Sequence, residues 1–218
     1  MARRPRPGAH EALLDAAREE FSRVGLERAR VEDIARRAGI SKGAFYLHFA
    51  TKDDAFREIV QRFLGALEDH VRRRHEVEER AWRDAGATAG GHAALFEAEC
   101  AVDVDLLELL WRHREIVEAI ELAGKAYREL LGEFRRRMRA QVTQRIQERQ
   151  RAGALRPDVD PAVCGDLVIG AYEDFTRRMA DLREKPNLAA WARSLLVVLY
   201  EGILARPAPA LARRAPSR

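Results

Sequence analysis

An all-α fold of about nine helices is predicted by three features of the 218-residue sequence. Apolar residues recur at helical spacing along most of the chain, no stretch alternates as a strand would, and Gly, Pro or Asn interrupts the pattern where helices should end. A composition that is 47% hydrophobic and 34% charged is enough for a real core, arranged as one large or two small domains. No run of about 18 uncharged apolar residues occurs, and the opening MARRPRPGAH lacks the apolar centre of a secretory signal. The expected location is the cytoplasm, with no membrane partner.

Residues 1–9 read as a flexible basic arm, because Pro5, Pro7 and Gly8 separate Arg3, Arg4 and Arg6 and offer no fold of their own. Such an arm suits either a solubilising terminus or insertion into a minor groove. The first helix spans His10 to Val24, with Leu13, Leu14, Ala17 and Phe21 as its apolar stripe. Next comes VEDIARRAGISKGAFYLHF, Val31 to Phe49, two short helical patterns either side of a four-residue turn. Val31, Ile34, Ala35 and Ala38 form the small inner face of the first, and Gly39 permits a tight turn. Ser41 is a suitable N-cap for the second. Phe45 and Phe49 then point inward, leaving Lys42, Gly43, Ala44, Tyr46 and His48 outside, where Tyr46 and His48 can donate to phosphate oxygens. The arrangement suits reading a DNA major groove, although the same turn also serves three-helix clusters that never meet DNA.

Thr51 to Asp54 reads as a capping box that opens a helix running to about Trp82. Lys52 sits in its first turn, where the helix dipole disfavours a cation, so a phosphate partner is expected there. Gly86 to Gly91 breaks the pattern. A strongly apolar helix follows from about His92 to Trp111, then a shorter segment to Gly124 and a long helix to about Arg151. Within that long helix, residues 134–151 hold seven Arg and one acid. This cluster reads either as a solvated face or as a second nucleic-acid surface. Asp160-Pro161 caps and starts a helix to about Leu182, and Asn187 caps another to about Ala205. Residues 207–218 are expected to be a disordered tail.

Residues 1–50 carry ten Lys or Arg against seven Asp or Glu, so DNA affinity must come from the placement of a few cations rather than from bulk charge. From about residue 10 to 60 the chain strongly resembles the TetR family of bacterial transcriptional regulators. The resemblance rests on F21-S-R-V-G25, V31-E-D-I-A-R-R-A-G-I-S41, K42-G-A-F-Y-L-H-F49 and K52-D-D-A-F56. It implies that the helix opening at Ser41 is the recognition helix, with Lys42, Gly43 and Ala44 near base edges and Tyr46, His48 and Lys52 on phosphates. Arg30 departs from the family pattern, which places Thr or Ser there as cap. Arginine cannot accept the capping bond, at a cost of about 1 kcal/mol, but it can reach a phosphate itself. Ala44 replaces a frequent Thr and offers a methyl to a thymine methyl.

The resemblance further implies a helix-turn-helix domain over residues 10–55, and a ligand-binding and dimerisation domain over 56–206 whose last two helices pair with those of a second copy. Val163, Leu167, Ala171, Trp191, Leu195, Val198 and Leu199 are the candidates for that interface, and the operator is expected to be palindromic. Candidates for an effector cavity are Phe96, Cys100, Trp111, Phe134, Met138, Tyr172, Phe175 and Met179. Glu99 and Asp103 interrupt an apolar face and would suit a cationic ligand or lie on an exposed flank. The two cysteines, Cys100 and Cys164, read as reduced packing residues. The histidines lack metal-ligand spacing, and no catalytic or cofactor-binding motif occurs. The expected protein is a homodimeric repressor released from DNA by a small molecule, using no cofactor or metal and catalysing no reaction. The alternative is a helical ligand-binding or adaptor module without operator-specific binding.

Overall fold

The computed structural model describes residues 8–85, 91–153 and 155–201, and these form eight helices and no strand. They are α1 (Ala9–Arg28), α2 (Val31–Arg37), α3 (Lys42–Phe45), α4 (Lys52–Ala85), α5 (Gly91–Leu122), α6 (Lys125–Arg151), α7 (Pro161–Ala180) and α8 (Leu188–Glu201). Residues 1–7 of the basic arm, residues 86–90 of the break, the end of the last helix beyond Glu201 and residues 207–218 lie outside the described residues, while Gly8 and the buried Ala9, expected in the arm, begin α1 because Ala9 packs into the core.

Most helix ends follow local rules. Gly25, with φ 78°, interrupts α1, so regular helix ends near Val24 as its pattern implies. Asp160 accepts hydrogen bonds from the amides of Ala162 (2.7 Å) and Val163 (3.4 Å), and Asn187 Oδ1 accepts from Ala190 (2.9 Å). One expectation changes: the segments foreseen either side of Trp111 are a single 32-residue helix, α5. Arg112 to Glu121 contains no Gly or Pro, and Ile116, Ala119 and Ile120 extend the apolar face into the core.

The chain divides into two compact units, one of Met1–Asp69 with Leu110–Arg183, the other of His70–Leu109 with Glu184–Arg218. In the first, Leu13, Ala17 and Phe21 of α1 pack in a common core with Ile34, Phe45, Phe56 and Phe63. Phe21 meets Phe56 edge-on at 5.2 Å, and Tyr127 of α6 meets the same Phe56 at 4.8 Å.

Helices α6 and α7 pack closely in this unit because Gly165 has no side chain. A Cβ there would lie 2.5 Å from Thr143 Oγ1 and 3.4 Å from the carbonyl of Arg139. The same contact explains much of the arginine cluster. Arg135 reaches Glu121 (2.9 Å) and Glu173 (3.5 Å), Arg139 reaches Glu173 (3.2 Å) and Asp166 (3.3 Å), and Arg137 reaches Glu68 (3.0 Å). These cations tie helices together by ion pairs, so a plain solvated face is too weak a description. The second unit has its core in Leu95 and Leu107 of α5 and Leu188, Ala192 and Leu196 of α8.

Candidate nucleic-acid interface

Helices α2 and α3 are joined by a turn whose hydrogen bonds fix it. The amide of Ile40 donates to the Ala35 carbonyl (3.0 Å) and that of Gly39 to Arg36 (3.1 Å), a pair of bonds that requires the left-handed φ of 68° at Gly39. Ser41 Oγ then accepts from the Ala44 amide at 3.2 Å and starts α3. Phe45 and Phe49 are buried on the inner side, which turns Lys42, Gly43, Tyr46 and Leu47 outward. Ala44 and His48 are half-buried. Leu47 is the outward residue that sequence reasoning passed over; it is 59% exposed, and its only local signal was its place between Tyr46 and His48. A large apolar side chain there leaves an apolar patch on the outer surface.

The charged groups around this surface have partners within the chain. Lys42 pairs with Glu32 at 2.5 Å, which raises the lysine pKa and lowers that of the carboxyl. Arg37 of α2 bonds Glu19 (2.9 Å) and the buried Glu20 (3.5 Å) of α1, fixing the angle between those helices. Arg30 precedes α2 with no side-chain cap bond and is exposed. The capping box at α4 is complete, since the Thr51 amide and hydroxyl both donate to Asp54 Oδ2 (3.0 and 2.8 Å) and the Asp54 amide donates to Thr51 Oγ1 (3.1 Å). The Thr51 hydroxyl bond holds the Asp54 carboxyl below its ordinary pKa.

Lys52 has a structural bond set that sequence did not suggest. Its ammonium donates to the carbonyls of Glu27 (2.7 Å) and Ala29 (3.1 Å) at the end of α1. The cation that the α4 dipole disfavours is thus held by the negative end of α1. Nearby, His10 Nε2 lies 2.8 Å from Glu58 Oε1, with its ring 4.9 Å from that of Phe49 and 5.6 Å from that of His48.

Residues 13–59 match the sequence model of the bacterial regulatory proteins of the tetR family. The resemblance extends beyond them. Over 196 residues, 88% of this chain and 93% of the relative, the protein is 24% identical to the fatty acid metabolism regulator protein of Bacillus subtilis (strain 168). Over 170 residues, 76% of this chain and 75% of the relative, it is 28% identical to the HTH-type transcriptional repressor KstR2 of Mycolicibacterium smegmatis. The fold is similar to that of the transcriptional regulator FadR from Bacillus subtilis, solved in complex with stearoyl-CoA, with a TM-score of 0.61, 20% identity and coverage of 89% of this chain and 99% of the other.

Residues 13–59 carry a tetR-family regulatory region. The chain is a DNA-binding transcriptional regulator with an N-terminal helix-turn-helix and a helical remainder. No helix among the described residues is long and apolar enough to cross a membrane, and none of their His, Cys, Asp and Glu groups gathers as a metal site would require.

The effector candidates divide between the two units. Trp111, Phe134, Met138, Tyr172, Phe175 and Met179 belong to the first, where Phe134, Tyr172 and Met179 are buried and the Arg114 guanidinium lies 4.0 Å over the Trp111 ring. Phe96, Glu99, Cys100 and Asp103 belong to the second, and there both acids are buried rather than on an exposed flank. Burial pushes the thiols of Cys100 and Cys164 up, which suits unreactive packing residues. Of the interface candidates, Val163 and Leu167 on α7 are 54% and 61% exposed, and Val198 and Leu199 on α8 are exposed as well. Ala171, Trp191 and Leu195 are half-buried.

Proposed function

We propose that the protein is a homodimeric cytoplasmic repressor in which residues 10–55 hold a palindromic operator and residues 56–206 bind a small molecule that releases it. The observation that carries this reading is α3 itself, capped by Ser41 and rooted by Phe45 and Phe49, with Lys42, Gly43 and Tyr46 at its outer side and Ala44 and His48 half-buried beside them. Arg30 and Lys52 flank it as further phosphate donors, and Leu47 joins it as an apolar contact. The exposed apolar residues of α7 and α8 support pairing with a second copy, which would present α3 twice across a twofold axis. Its work is binding, with affinity for DNA set by the separation of the two heads.

The likeness to the fatty acid metabolism regulator protein of Bacillus subtilis supports a regulatory role in fatty acid metabolism, and stearoyl-CoA is the effector to try first because a structure of similar fold was solved with it. The test is a gel shift of the full chain against DNA from upstream of its own gene, with a salt series and added stearoyl-CoA. A discrete, salt-sensitive complex that dissolves with ligand is expected. A protein that binds no upstream duplex more tightly than random DNA is instead the ligand-binding or adaptor module.

A further inference from the structure

The first turn of α1 meets the stretch of chain that follows α3. The His10 ring lies 4.9 Å from that of Phe49 and 5.6 Å from that of His48, and Phe49 in turn lies 5.5 Å from Phe45. Phe45 and Phe49 are buried and root α3, so His10 closes this aromatic row at the α1 end and stands against the half-buried His48.

His10 is fixed on its other side by α4. Its Nε2 lies 2.8 Å from Glu58 Oε1, and since a carboxylate only accepts, Nε2 carries the proton and donates. Burial raises the Glu58 pKa, but the bonds from His10 and Arg62 outweigh it and leave the group below its ordinary value, an anion at neutral pH. Arg62 holds Glu58 at 2.8 Å and grips both oxygens of Glu11 on α1, at 2.7 and 2.9 Å. That fork ties α1 to α4 without using the imidazole, so the two helices stay joined when His10 is replaced.

His48 is anchored less firmly. Among the described residues no hydrogen bond reaches its ring, and His10 is its one aromatic neighbour. A side chain held this loosely must be ordered when it takes a phosphate, and that ordering opposes binding. A fixed ring beside it removes the rotamers that would fill the same space, so part of the ordering is done before DNA arrives.

We infer that His10 is a positioning residue for DNA binding: held by Glu58 and packed on Phe49, it confines the His48 imidazole to the outer side of the head, where a ring N–H reaches a phosphate oxygen. This rests on the proposed reading that places His48 on the DNA backbone. His10 does not contact the phosphate and acts through His48.

A double-mutant cycle on the full chain tests the inference, read by fluorescence anisotropy with two labelled duplexes at low salt, one from upstream of its own gene and one of random sequence. His10→Leu should weaken binding to both by about three- to tenfold, the cost of ordering one freed side chain. His48→Ala should weaken it at least as much, and adding His10→Leu to His48→Ala should change affinity by less than about twofold. His10→Gln, whose amide still donates to Glu58, should bind within about twofold of the unaltered protein. A general loosening of the head would lower affinity with or without His48, so the cycle separates positioning from stability. Unchanged binding by His10→Leu, an equal loss when His48 is already removed, or His10→Gln as weak as His10→Leu overturns the inference. Binding of neither duplex by the unaltered protein removes the phosphate contact and the inference with it. Equal affinity for the two duplexes condemns the operator reading alone, because phosphates are common to both.

Discussion

Replacing Leu167 by glutamate tests how the two copies meet. Leu167 is 61% exposed on α7, and fully burying a leucine contributes about 1.5–3 kcal/mol, so roughly 1–2 kcal/mol per protomer remains to be gained when a partner covers it. A twofold axis presents the residue twice, giving about 2–4 kcal/mol for the dimer, which corresponds to roughly a 30- to 700-fold change in dissociation constant. Desolvating the new carboxylate adds to that loss. Sedimentation equilibrium over nanomolar to micromolar protein should show Leu167→Glu dissociating where the unaltered protein stays dimeric, and operator binding should weaken in parallel. Leu122, 68% exposed at the end of α5, is the matched control, and Leu122→Glu should leave the dimer intact. If Leu167→Glu associates as tightly as the control, α7 does not face the partner and the proposed interface is wrong.

Three further outcomes are expected. Gly43→Ala should leave folding intact or improve it by up to about 1 kcal/mol, since the nearest atom to an added Cβ is Ser41 Oγ at 4.0 Å, while operator affinity falls because α3 is held away from the duplex. Unchanged operator affinity in a gel shift would remove Gly43 from the contact surface. Lys52→Met should lower stability by about 1 kcal/mol in a denaturant titration, through loss of the bonds to Glu27 and Ala29; an unaltered midpoint would mean the clamp contributes nothing. Acid should destabilise the protein between pH 6.5 and 4, because an unfolded histidine takes up a proton near 6.5 whereas His70 in the fold does so only near 4. The unfolded state binds more protons in that window, so stability falls as pH drops, by at most about 3 kcal/mol from this residue. His70→Leu should flatten the slope of a pH series of melts, and an equally steep slope would assign the loss elsewhere.

What could be read from sequence follows the range of the interaction. Ser41, Gly39, Asp160 and Asn187 act on amides or carbonyls within a few residues, so the helix ends and the turn between α2 and α3 were legible. The inward Phe45 and Phe49 follow from the same local periodicity. The bonds of Lys52 are not legible in sequence because its acceptors are carbonyls more than twenty residues away, and backbone acceptors leave no mark in a side-chain pattern. The second half of α4 is rich in Arg and Glu, and nothing in that pattern marks a buried face. Arg74 meets the Asp103 carboxylate of α5, and His70 and Glu78, each one turn from Arg74 along α4, are buried, which only the placement of α5 reveals. The arginines of α6 were ambiguous until Glu68, Glu121, Asp166 and Glu173 were placed beside them.

The partners of the reading head bear on selectivity. Lys42 is held by Glu32, Arg36 by Asp33, Arg37 by Glu19 and Glu20, and Lys52 by the end of α1. Under the proposed reading, a phosphate that approaches Lys42 must replace a carboxylate, so each contact is an exchange of ionic partners rather than the capture of a bare cation. The gain from a single phosphate is therefore small, and random encounters with DNA are weak despite the sequence pI near 9.4. Several exchanges made together, with α3 seated and the head held at one angle by Arg37 on α1, are worth more than their sum, since the ordering is shared. A nearly neutral head of this kind gains its discrimination from geometry, which is also why a modest change in the separation of two heads suffices to release it.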